Sequence, residues 1–277
     1  MKSKFYIQPW LLILIVGVAL FLLTQQATII TANTNYLPTL LLLGSFVVPV
    51  SFVAYFYEYV KHREISVSLL TTCLLAGGVL GSIFAGVVES GTLTNFNVAG
   101  LFAVGLIEEA AKLIFPLVMY FGRWYRHEAD GLLFGVAAGM GFAALETMGY
   151  GLTTLIDSNG DINSLTQVLL ARGLVSPAGH AAWTGFVCAI LWRERERKPR
   201  GMLNLAAMAA FVVAVALHSV WNIVNGVGGS AVVRIVVTVA GSLAIAVTSL
   251  ILLFRRVRES RRPARLEPAN VDDLSSL

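Results

Sequence analysis

The sequence predicts an all-α, polytopic membrane helix bundle of about eight transmembrane helices, with both termini cytoplasmic. Of the 277 residues, 57% are hydrophobic and only 13% charged, and the mean hydropathy is +0.76, well outside the usage of a soluble globular domain. The apolar residues fall into runs near the length of about 20 that carries a helix across a ~30 Å hydrocarbon core. Lysine and arginine then alternate between successive connecting segments, the pattern that fixes orientation in a membrane.

Eight runs qualify, at about 9–23, 37–57, 67–88, 98–120, 131–152, 177–192, 202–222 and 231–254. Basic residues precede the first (Lys2, Lys4) and follow the second (Lys61, Arg63) and fourth (Arg123, Arg126). More follow the sixth (Arg193, Arg195, Arg197, Lys198, Arg200) and the eighth (Arg255 to Arg265). Only Lys112, Arg172 and Arg234 lie elsewhere, and the intervening loops carry Glu89, Asp157 and Asp161. Positively charged short loops stay in the cytoplasm, so a cell-membrane protein with cytoplasmic ends is expected.

A lysine-bearing start and short apolar stretch also fit a cleaved signal peptide. No small-x-small site follows Leu23, and removing this run would leave the alternation without its first member, so a retained helix is expected. Residues 1–254 form a single transmembrane domain on this reading, and 255–277 a basic, then acidic, disordered cytoplasmic tail.

A pI near 9.2 and net charge of +4 point to nucleic acid only when the charge forms a patch on a soluble surface. Here the charge lies between apolar runs, so anionic lipid headgroups are the expected partners and nucleic acid is not. Cys73 and Cys188 fall inside apolar runs, as packed hydrophobes rather than a disulfide or thiolate metal site.

An ionisable side chain at the centre of a membrane helix costs at least about 2.5 kcal/mol and is by default functional. The fourth run carries three, Glu108, Glu109 and Lys112. Lys112 is four residues after Glu108 and three after Glu109, so it can neutralise one of them. Adjacent carboxylates in a dry site cannot easily both ionise, which suits one of them to general base work.

The fifth run contributes Glu146, and its Gly131, Gly135 and Gly139 at four-residue spacing let a neighbouring helix approach. Ser176 and Pro177 read as N-cap and first residue of the sixth helix, with His180 just inside. The seventh run carries His218 and Asn222 four residues apart on one face.

Between the fifth and sixth runs, Ser164 reads as the cap of a short helix over 165–172, ended by Gly173 and lying in the outer interface or dipping into it. Leu165, Val168, Leu169 and Arg172 share a stripe. Arg172 reads first as a headgroup anchor, with a role in substrate or oxyanion binding left open.

Depth ties these residues together. Glu108 is ten residues into its run, ~15 Å, and Glu146 about six residues, ~9 Å, from the outer surface at 1.5 Å per residue. His180 and His218 fall near the outer ends of theirs, so one site in the outer half of the bilayer is expected. Transport through a proton or cation path is the rival reading, and a non-catalytic scaffold of the same fold is another. No internal repeat of the transporter kind is visible.

Glu-Glu-Ala-Ala-Lys at 108–112, Phe142 four residues before Glu146, His180 at a helix start and His218 four residues before Asn222 resemble the PrsW family of intramembrane proteases. That family is similar to the CAAX-processing and bacteriocin-processing membrane endopeptidases. The CAAX branch usually has histidine at the Glu146 position, which disfavours prenyl-protein processing here. The resemblance implies cleavage of a membrane-anchored, anti-sigma-factor-like protein near its extracytoplasmic side. It also implies water activation by Glu108 with Glu109, proton transfer through His180 or His218, and oxyanion support from His218 with Asn222. No His-Glu-x-x-His occurs, so glutamate catalysis without a cofactor is expected, with Zn²⁺ the less favoured version.

Overall fold

The computed structural model describes residues 7–60, 65–92, 97–197 and 205–261. Lys2, Lys4, Lys61, Arg63, Lys198 and Arg200, which carry part of the charge alternation, lie outside the described residues, as do residues 262–277 of the tail expected from 255. Residues 255–260, expected to be disordered, continue the last helix instead.

The helices are α1 (Pro9–Thr31), α2 (Leu37–Tyr59), α3 (Val67–Thr92), α4 (Val98–Lys112) and α5 (Ile114–Gly122). They are followed by α6 (Glu128–Asp157), α7 (Ile162–Val175), α8 (His180–Arg197), α9 (Leu205–Asn225) and α10 (Ala231–Ser260). Among the described residues seven helical segments are long and apolar enough to cross a membrane, and α4 with α5 occupies the remaining expected run. No strand occurs among the described residues.

The fourth run is two helices rather than one. Pro116 has no N–H for the carbonyl of Lys112, four residues earlier, and its ring would clash there. The chain turns at Leu113, whose N–H reaches Ala110 instead, and α5 restarts from Leu113. Lys112 is thereby left in the last turn of α4, where a cation complements the carbonyl end of the helix.

α6 is the axis of the bundle. Of its apolar window 83% is buried, against 11% in α1 and in α10, which present isoleucine, leucine and valine to the surroundings. Helices in lipid gain little from burying apolar surface against one another, so close packing of small residues must hold them. A Cβ on Gly131 would lie 2.7 Å from the Cys188 carbonyl and one on Gly135 2.5 Å from that of Thr184, while one on Gly139 would meet the His180 carbonyl. The glycine stripe is therefore the seat of α8, as its spacing predicts. On another face of α6, Gly141 meets Leu74 and Gly78 of α3 just as closely.

Two expectations about the α6–α8 connection are corrected. The cap of α7 is Asp161, which accepts from the N–H groups of Asn163 and Ser164, while Ser164 donates its hydroxyl to Asp161. Those bonds, the Ser164 hydroxyl first, hold the Asp161 carboxyl below its usual range. The helix continues through Gly173 to Val175, and Leu165 and Leu169 are fully buried against α2 and α6. It packs into the bundle along α2 and α6. Ser176 does not cap α8 either: Ser176–Ala178 forms a 3-10 turn running on from α7, and the Ser176 hydroxyl donates to the Gly173 carbonyl.

Candidate active site

The site forms where α4, α6, α8 and α9 meet. A Cβ on Gly105 would lie 2.5 Å from the Ser219 hydroxyl oxygen, so α4 and α9 pack almost backbone to backbone. One turn further along α4, Glu109 meets His218, with His218 Nδ1 2.8 Å from Glu109 Oε1. The same oxygen takes the Lys112 ammonium at 2.7 Å. Glu108 lies 3.6 Å from Lys112 Nζ and 3.5 Å from His218 Nε2 through its Oε2. Lys112, fully buried, also sits 4.6 Å above the Phe142 ring of α6. Its angular place between the two carboxylates was legible from spacing, and its closer partner is Glu109.

Glu146 comes from the middle of α6. Its Oε2 lies 3.2 Å from His180 Nε2 and its Oε1 2.9 Å from Arg172 Nη2. Because α8 begins at His180, the ring leaves the helix at its first turn, over Gly139, and points across to α6. Arg172, expected first as a headgroup anchor, turns to Glu146 at the cavity. Its guanidinium stacks 4.0 Å from the Tyr150 ring while pairing with Glu146, an arrangement that matches its planar cation to a face and a carboxylate together.

These groups share one cavity of about 580 Å³, lined among others by Glu108, Glu146, Arg172, His180, His218 and Asn222. The ligand-type atoms of Glu108, Glu146 and His180 all lie within 4.8 Å of one another, and the rings of His180 and His218 are 5.7 Å apart. Asn222 faces the cavity from the His218 side of α9, as its spacing predicts. Glu109 and Lys112 are absent from the lining and are sealed behind His218 and Glu108.

Trp183, Tyr150 and Glu89 escaped the sequence reading. Trp183 stacks on His218 with centroids 4.8 Å apart and planes at 25°, and its position three residues after His180 could have signalled the shared face. Tyr150, four residues after Glu146, could have been found the same way. Glu89, read as a loop residue, lies within α3. It is within electrostatic reach of Glu108 and Glu146, and its Oε1 is buried without a hydrogen-bond partner. No local signal marks it, because its neighbours come from other helices.

An apolar helical bundle holding carboxylates and imidazoles at one cavity is an arrangement that a membrane-embedded peptidase can use. A family model described as PrsW family intramembrane metalloprotease matches residues 65–251, and the chain belongs to that family. The matched span runs from just before α3 to near the end of α10 and so contains every site residue named above. No curated protein and no solved structure matches the chain. The expectation of catalysis without a metal draws no support from the family description.

Proposed function

We propose that this protein is an endopeptidase that hydrolyses a peptide bond of a membrane-anchored protein, such as an anti-sigma-factor-like regulator, near its extracytoplasmic side. The observation that carries this reading is the convergence of Glu108, Glu146 and His180, with ligand-type atoms within 4.8 Å, on the wall of a cavity large enough for a peptide segment. The positive-inside pattern of the sequence supports a cell-membrane protein with cytoplasmic termini and the site in the outer half of the bilayer.

The same three residues fit a divalent cation. Glu108 Oε2 and Glu146 Oε2 are buried without a hydrogen-bond partner. The 3.2 Å between His180 Nε2 and Glu146 Oε2 is close to the ~3.3 Å between two tetrahedral ligands bonded to Zn²⁺ at ~2.0–2.1 Å. Charge balance agrees, since the ion pairs of Lys112 and Arg172 answer only two of the three carboxylates Glu108, Glu109 and Glu146. Zn²⁺ held by Glu108, Glu146 and His180 would polarise the scissile carbonyl and acidify a water.

The protein's own groups do the rest. Glu109, neutralised by Lys112, accepts the Nδ1–H of His218 and leaves Nε2 as the basic nitrogen. That nitrogen faces Glu108 at 3.5 Å, where it can take a proton from the attacking water and return it to the leaving amide nitrogen. Asn222, on the same face of α9, offers an amide donor to the carbonyl oxygen as charge develops there. Arg172 holds Glu146 in orientation. A second version, in which Glu108 takes the proton of water directly without a metal, is favoured by the direct approach of His218 and Lys112 to Glu108.

The test is cleavage of candidate single-span membrane proteins by purified protein, with Glu108→Gln as the inactive control. Stripping by a strong chelator should abolish cleavage and Zn²⁺ should restore it, and Glu108→Gln and His180→Ala should lose bound zinc by mass spectrometry. Full activity in metal-free protein would overturn the metal version in favour of glutamate catalysis, and absence of cleavage throughout would overturn the peptidase reading.

A further inference from the structure

α10 is a lipid-facing helix whose buried residues form a single seam of Ile245, Ser249, Leu253, Arg256 and Val257. The seam is apolar around Ser249, which is only 1% exposed. A hydroxyl there is unfavourable unless it is paired, and its pairing is specific: Trp183 Nε1 donates to Ser249 Oγ at 2.8 Å in a fully buried bond. The indole so held is the one stacked on His218 at 4.8 Å. It also meets Trp221 edge-on at 6.5 Å and His180 at 5.8 Å.

The imidazole of His218 is therefore fixed at two places with different consequences. Glu109 grips Nδ1 at 2.8 Å and sets which edge faces the cavity, while Glu108 approaches Nε2 only at 3.5 Å, so the ring can still rock about the Nδ1 contact. The Trp183 face stops the rocking. An indole can follow a rocking ring by turning about its own side-chain torsions, and such a turn would carry its N–H away from Ser249, leaving a buried donor and acceptor unsatisfied.

We propose that Ser249 and Trp183 are positioning residues for His218, with α10 acting through this tether as part of the catalytic apparatus rather than as lipid-facing cover. The inference rests on the proposal that His218 handles the proton in peptide hydrolysis. Neither residue needs to touch the reacting atoms: their contribution is the plane of the imidazole.

The experiment compares Ser249→Ala, Trp183→Phe, the double variant and Ser249→Thr, all purified in detergent with a cleavable membrane substrate. Phenylalanine keeps a ring against His218 and removes the N–H, and threonine keeps the hydroxyl. The two single variants should each lower kcat about fivefold with KM within twofold of wild type. The double variant should be no worse than the poorer single one, and Ser249→Thr should recover activity. An independent readout is the rate at which diethyl pyrocarbonate modifies His218, followed by peptide mass spectrometry, which should rise severalfold in Ser249→Ala and Trp183→Phe. Both kcat values within twofold of wild type with unchanged His218 modification, or losses that multiply in the double variant, would overturn the tether. A wild-type protein that cleaves nothing would instead sink the peptidase reading, and the modification rates would still decide whether Ser249 steadies His218.

Discussion

One imidazole is bracketed by two adjacent carboxylates of a single helix: His218 Nδ1 lies 2.8 Å from Glu109 and His218 Nε2 3.5 Å from Glu108. Neighbouring residues on a helix project about 100° apart, so α4 can turn one glutamate toward the cavity and the next into the packing behind it. Glu108 lines the cavity, and Glu109, 1% exposed, holds Lys112 and His218.

This division predicts different outcomes for the two isosteric substitutions. Glu108→Gln should abolish cleavage while leaving the melting temperature in detergent nearly unchanged. Glu109→Gln removes the negative charge 2.7 Å from a fully buried ammonium and leaves only the longer 3.6 Å pair with Glu108, and removing one charge of a buried ion pair costs up to about 3–5 kcal/mol. A clear drop in melting temperature should accompany its loss of activity. Equal stability of the two variants would show that the glutamates are not divided in this way.

The glycine stripe of α6 makes a second prediction. Gly139→Leu pushes a side chain into the His180 carbonyl, and overpacking of this kind costs about 1–3 kcal/mol. Since α8 starts at His180, the strain falls on the imbedded imidazole, and activity should drop by at least about tenfold. Gly149→Ala in the same helix, where a Cβ meets nothing within 4 Å, should leave activity intact and raise stability by up to about 1 kcal/mol. Comparable activity of Gly139→Leu and Gly149→Ala would mean that close α6–α8 contact does not set the site.

Much of this arrangement was legible because its causes are local. The four-residue spacing of Glu108 and Lys112, of Gly131, Gly135 and Gly139, and of His218 and Asn222 each fixes a shared face without reference to any other helix. What was not legible depends on rotation and register between helices. Glu108 and Glu109 are indistinguishable until the rotation of α4 is known. Arg172 looked like an interfacial anchor because its partner, Glu146, lies 26 residues away and meets it only when α7 folds back along α6. Ser176-Pro177 carries a genuine helix-start signal, yet the chain turns there in a 3-10 segment that delays α8 to His180. The break at Leu113 could have been anticipated from Pro116.

The Arg172–Glu146 pair predicts a graded series. Arg172→Met removes the cation 2.9 Å from Glu146 and should lower kcat by at least about tenfold. Arg172→Lys keeps a charge but not the planar stack on Tyr150, and should fall between that variant and wild type. Tyr150→Leu should cost about 0.5–1 kcal/mol of stability, the usual worth of an exposed cation–π contact, with a smaller effect on kcat. Wild-type turnover by Arg172→Met would remove Arg172 from any part in the site.

The final prediction concerns which side of the membrane the cavity faces, and three turns decide it. Asn33 joins α1 to α2, Asn159 joins α6 to α7 and Gly228 joins α9 to α10. Asn225 and Gly226, beside the last of these, line the cavity, so the side on which Gly228 emerges is the side toward which the cavity rim lies. The positive-inside pattern predicts these three turns, and position 95 before α4, on the outside, with 198 after α8 in the cytoplasm. Both native cysteines are buried, so single cysteines can be introduced with little background. An impermeant maleimide applied to intact cells should label positions 33, 95, 159 and 228, and should label 198 only after the membrane is opened. Labelling of 198 from outside would invert the bundle and direct the rim toward the cytoplasm. An extracytoplasmic cleavage site would then be ruled out, while the distances among Glu108, Glu146, His180 and His218 would be untouched. Orientation and chemistry are thus separable, and this experiment tests the first without assuming the second.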